Sequence, residues 1–141
     1  IKLLYQSVFQ ISEEQAREMT RLTGGYPFAF QLLGYLTWNH QGHYQEVLQD
    51  YRQSLYEYVY QKIWSELSPR DRLVLQGIAE TNDSSVKSIK EHLHFSDNEW
   101  APYRQRLIRK GIVDGSERGL IKITLPLFRD FVKDQIQFDQ Y

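Results

Sequence analysis

The stretch GIVDGSERGLIKITL, residues 111–125, decides the fold. Ahead of it, apolar residues recur every three or four places. Within it they alternate, the period of a short strand with one face inward. IVD and LIKIT are therefore strand patterns, and GSERG between them is a hairpin turn. Working outward, LSPRDRLVLQGIAE (residues 67–80) begins a helix. Ser68 is its N-cap, Pro69 takes the first helical position, and Asp71 favours the positive helix end. Leu73, Val74, Ile78 and Ala79 supply its apolar face. TNDSS is a turn, and VKSIKEHL (86–93) is a short helix with Val86, Ile89 and Leu93 inward. After a second turn, Ser96 and Glu99 match a capping box. The helix they open runs to about Lys110, with Trp100, Tyr103 and Leu107 inward. Pro102 marks a late start or a kink. PLFRDFVKDQI (126–136) closes the chain with a helix whose Pro126 sits near its start. Three helices followed by a hairpin is the order of a winged helix. Its second and third helices form the helix-turn-helix, and GSERG is the wing.

The N-terminal half reads as helical throughout. ISEEQAREMTRLTGG (11–25) is a short helix with Ser12 and Gln15 as capping box and Ala16, Met19 and Leu22 as apolar stripe. Gly24 or Gly25 supplies its left-handed stop. A second helix runs from about Pro27 to Trp38, with Phe28, Leu32, Leu36 and their neighbours toward a core. A long helix from about His43 to Trp64 keeps a 3.6-residue period through Tyr44, Val47, Leu48, Tyr51, Leu55, Tyr58, Val59 and Ile63. Tyr56 and Tyr60 lie on another face. The fold class is mainly α: a helical lid bundle over residues 1–66, then a winged helix-turn-helix with a small β-hairpin over 67–141.

Composition narrows the function. The formal net charge is -1, so no global basic field marks a dedicated nucleic-acid binder. The absence of cysteine excludes disulfides and thiolate metal sites. No apolar run approaches the roughly 18 residues of a membrane span, and no signal peptide is visible, so the expectation is a cytoplasmic protein without membrane partners. The chain begins IKLLYQ, which reads as a fragment of a longer protein. There is no phosphate loop and no paired-acid strand for magnesium, so the fragment carries no catalytic residues of its own. His40 and His43 stand three apart in a loop with no carboxylate close by, short of the three or four ligands a metal needs. His92 and His94 flank a turn.

The interruption RLTGGYPFAFQLLG (21–34), set between two helices with a winged helix downstream, resembles the region after the nucleotide-binding core of P-loop ATPases of the STAND and archaeal type, relatives of the AAA+ proteins. Gly25-Tyr26-Pro27 matches that family's G-x-P motif. The resemblance implies that Gly25 and Pro27 face the adenine of bound ATP, that the parent binds ATP with Mg, and that the partner of this chain is an N-terminal ATPase core. Glycine allows close backbone approach, and proline offers a rigid apolar face. The helix Phe28–Trp38 has no arginine or lysine. That departs from AAA+ lids with a phosphate-reaching arginine and fits the STAND-like variant better. In such proteins the winged helix is a protein-docking and regulatory module.

The residues keep a rival open, a DNA-binding winged-helix regulator with a helical sensor or dimerisation half. RQRLIRK, Arg104 to Lys110, has four basic residues and no acid. On a helical wheel Asn98, Gln105, Arg106 and Arg109 lie opposite Trp100, Tyr103 and Leu107, while Arg104 falls toward the apolar side. Arg118 and Lys122 stand in and beside the wing. Against DNA, residues 68–134 hold twelve Lys/Arg and ten Asp/Glu, a net of only +2. Asp97 and Glu99 also sit where a recognition helix would meet phosphate.

Overall fold

A computed structural model describes residues 13–24, 26–39 and 47–139. The chain divides into two compact units at Lys62/Ile63. The first contains α1 (Glu13–Thr23), α2 (Pro27–Asn39) and α3 (Leu48–Leu55), which continues through a π-helical turn (Tyr56–Tyr60) into α4 (Gln61–Glu66), whose residues from Ile63 on belong to the second. The second contains α5 (Pro69–Glu80), α6 (Val86–Leu93), α7 (Asp97–Arg109), β1 (Val113–Asp114), β2 (Lys122–Ile123) and α8 (Phe128–Asp139). The described chain is thus mainly helical with one small antiparallel sheet, in the element order expected of a winged helix.

In the first unit α1 buries Ala16, Met19 and Thr23, leaving Leu22 half-buried. Gly24, at φ +56°, ends the helix in the left-handed region. Ser12 and Gly25 lie outside the described residues, as do His40, His43 and Tyr44. The fully buried residues of α2 are Ala29, Leu33 and Thr37, neighbours of the expected Phe28, Leu32 and Leu36, of which Leu32 and Leu36 are half-buried. Phe28 is exposed. This helix has no charged residue, so its sequence marks no solvent face.

The long helix departs from the expected period. Its buried positions run Val47, Tyr51, Leu55, then Tyr60. The last step is five residues because Gln61 N–H donates to the Tyr56 carbonyl in π geometry. The extra residue turns Tyr60 inward and leaves Tyr58 73% exposed, reversing the expected placement of both.

In the second unit local punctuation acts as expected. Ser68 Oγ accepts from Asp71 N–H at 3.0 Å and Asp71 Oδ2 accepts from Ser68 N–H at 3.4 Å, a complete capping box ahead of Pro69. Ser96 and Glu99 make a second box at 3.2 and 3.1 Å. α7 therefore starts at Asp97, and Pro102 lies inside it rather than marking a late start. α5 packs against α6, α7, β2 and α8. It buries Val74, Leu75, Ile78 and Ala79, while Leu73, expected inward, is exposed. Gly77 faces Leu93 so closely that a Cβ there would stand 2.6 Å from Leu93 Cδ2. The stacked pair Phe128–Phe131, centroids 5.5 Å apart, and Trp64 edge-on to Phe131 at 6.1 Å close the core from the α8 side. Pro126 lies two residues before the start of α8, near it as expected.

The hairpin pairs Val113 with Ile123 and Asp114 with Lys122. Thr124 closes its base, its N–H donating to the Ile112 carbonyl at 3.0 Å. A bridge from Ser85 to Leu120 ties the hairpin to the segment between α5 and α6.

Candidate functional site

Two places collect the candidate residues: the α1–α2 turn and the outer side of α7 with the hairpin. At the turn, Tyr26 N–H donates to Thr23 O and Tyr26 O accepts from Phe30 N–H, both at 2.9 Å. Pro27 is the first residue of α2 and exposed, where its missing N–H costs nothing. Half-buried Tyr26 holds its ring 6.5 Å from that of Phe28. The turn is braced from behind, because Tyr51 Oη donates to the Leu22 carbonyl at 2.8 Å. Burial pushes the Tyr51 and Tyr60 hydroxyls well above the ordinary tyrosine range, so both stay neutral donors.

On α7 the candidates separate. Asn98, Gln105 and Arg109 are exposed, as are Arg118 in the hairpin turn and Lys122 on β2. Lys122 Nζ sits 3.3 Å from Glu117 Oε1. Arg106 does not share the outward face. Its Nε lies 3.3 Å from Asp71 Oδ1, and its guanidinium covers the Tyr103 ring at 5.1 Å. The wheel misplaces it because it borders the apolar stripe, one position before Leu107, and the nearly fully buried Asp71 carboxylate draws it inward. Arg104, half-buried as expected, donates to the Gly115 carbonyl at 3.1 Å.

Sequence reasoning missed the cluster this creates. Arg70 Nε donates to Tyr103 Oη at 2.8 Å, and the same guanidinium lies over Phe95 at 5.2 Å. Tyr103 thus meets two arginines from α5 and α7, and Asp71 serves both the α5 cap and the α5–α7 contact. The only sequence signal was Asp71 at a capping position; its partner lies 35 residues downstream, beyond any local pattern.

The start of α7 is acidic. Asp97 pairs with Lys90. The Lys90 hydrogen bond and charge hold the Asp97 carboxyl below its ordinary range. The Ser96 amide, then the Ser96 hydroxyl, does the same for Glu99. Both remain ionised at neutral pH, Asp97 against Lys90 and Glu99 4.0 Å from Arg70 Nη2, so the cations at this end are already engaged. His92 Nε2 lies 2.7 Å from Glu80 Oε2, and His94 is the left-handed C-cap of α6 at φ 58°. Among the described residues no group of three or more His, Asp or Glu side chains could hold a metal ion, and no helix is long and apolar enough to cross a membrane.

Residues 57–132, from the π turn to α8, match the family described as Domain of unknown function (DUF8462). No curated protein and no solved structure matches the chain. The matched residues are more than half of the sequence, and the chain belongs to the DUF8462 family.

Proposed function

We propose that the chain is a non-catalytic switching and docking part of a larger P-loop ATPase of STAND-like type. In this reading the first unit senses nucleotide at the turn ending in Pro27, and the second presents α7 and the hairpin to a protein surface. One observation carries the choice of protein over DNA. At the start of α7 Asp97 and Glu99 already engage Lys90 and Arg70, and Arg106, one of the three arginines of the helix, is engaged by Asp71. A DNA reader neutralises phosphates with that end and that face.

Exposed Arg109, Arg118 and Lys122 support the rival DNA-binding regulator. Duplex binding measured on the full chain across a salt series separates the two. The docking reading expects no salt-dependent affinity; affinity that falls with salt, by a slope approaching the roughly 2.7 expected for three phosphate contacts, overturns it. For the nucleotide arm, Pro27→Ala in the full-length parent is expected to weaken ATP binding. Unchanged affinity reduces the turn to a connector.

A further inference from the structure

The π turn at Tyr56–Tyr60 is the least regular part of an otherwise continuous helix. Its hydrogen bonding changes sharply. Tyr56 N–H donates to the carbonyls of Arg52 and Gln53, whereas Gln61 N–H reaches back five places to Tyr56. Such turns are intrinsically weaker than α-helix and need tertiary contacts to persist. Tyr60 is fully buried, and within the turn its ring lies 6.3 Å from that of Tyr56.

The sequence supplies a second solution. An unbroken α-helix would follow buried Leu55 with the residue four places on, Val59, instead of Tyr60. Val59 is apolar and already half-buried at the edge of the inward face. Two adjacent positions can therefore each complete the stripe begun by Val47, Tyr51 and Leu55, one in each register. The inward face is also tied to the α1–α2 turn. Tyr51, on the same buried stripe as Leu55 and Tyr60, donates its Oη to the Leu22 carbonyl at 2.8 Å.

We infer that Tyr56–Tyr60 is a two-register switch: a π register with Tyr60 inward, and an α register with Val59 inward, whose exchange is felt at the α1–α2 turn. Passing between them turns the helix after Leu55 by about 100° relative to the part before it, one residue's rotation, and carries Tyr60 off the inward face. Whatever engages the turn biases the register. This inference stands on the helix itself and does not require nucleotide at the turn.

NMR relaxation dispersion on the full chain tests it. The expected result is one shared exchange process at the amides of residues 57–61 and of residues 22–24 and 26, with a minor population of about 0.1–10%. Val59→Ser places a hydroxyl in the core of the α register only, so the minor population falls about tenfold. Val59→Phe raises it several-fold. Both substitutions fall at a half-buried position, which the described register tolerates. Flat dispersion in the unmodified chain, both variants moving the population the same way, or exchange at 57–61 without exchange at the turn each overturns the inference.

Discussion

Arg106→Ala separates a structural arginine from a binding one. The Asp71 side chain is 4% exposed and that of Arg106 41%. Removing the guanidinium leaves Asp71 with the Ser68 amide, 3.4 Å away, and little water. Stripping one partner from a fully buried ion pair costs about 3–5 kcal/mol. Two features lower that figure here. The arginine is partly solvated, so water reaches the vacated side, and its Nε is not aligned for a hydrogen bond despite the 3.3 Å approach. About half the buried-pair cost applies, near 2 kcal/mol. Loss of the guanidinium from the Tyr103 face adds about 0.5 kcal/mol. A total of about 2.5 kcal/mol corresponds to a fall of about 1 M in the urea midpoint. Tryptophan fluorescence reports it, since Trp64 and Trp100 are both buried in the second unit. Arg109→Ala, at an exposed position, is the control and stays within about 0.5 kcal/mol. In the double variant with Asp71→Asn, the cost is less than the sum of the singles by at least about 1 kcal/mol. If Arg106→Ala and Arg109→Ala unfold at the same urea concentration, the inward assignment of Arg106 is wrong.

Two other outcomes follow from the contacts. Ser96→Ala removes one of the two hydrogen bonds holding Glu99 ionised, so its carboxyl titrates closer to the ordinary glutamate value in carbon-detected NMR. A carboxylate with a depressed folded-state pKa stabilises the fold above its unfolded pKa and loses that contribution as pH falls through the folded one. The acid-unfolding limb of Ser96→Ala therefore begins at higher pH than that of the unmodified chain. Gly77→Ala sets helix propensity, a gain of about 1 kcal/mol, against a Cβ placed 2.6 Å from Leu93 Cδ2. Overpacking wins by about 1 kcal/mol in thermal or urea unfolding, and adding Leu93→Ala reverses the sign of the alanine effect.

The second unit was the more legible half because its signals are local. Ser68-Pro69 and Ser96-x-x-Glu99 are caps whose partners lie within one turn, and the change from period 3.6 to period 2 at Ile112 announces the hairpin. The first unit was harder for a definite reason. In α2 apolar residues lie on every side, so periodicity names a helix without naming its inner face. In the long helix Val59 and Tyr60 are both acceptable core residues, so an added residue in the backbone register leaves no mark in composition. The candidate face of α7 was legible for Asn98, Gln105 and Arg109, whose exposure follows from the wheel. It failed at Arg106 because a charge at the border of a stripe goes wherever its counter-charge lies, and Asp71 belongs to another helix.

The hydrogen bond from Arg104 to the Gly115 carbonyl constrains how this part of the family can vary. A Cβ at position 115 would stand 2.7 Å from the Arg104 guanidinium nitrogen and 3.0 Å from Ile108 Cδ1. A side chain there requires the end of Arg104 to shift from its present position at the carbonyl, with Ile108 close beside it. Conversely, a chain lacking the arginine has no need of glycine at the hairpin entry. The two positions are chemically one character, and DUF8462 sequences should keep or lose Arg104 and Gly115 together, giving the hairpin either a tethered base or a free one.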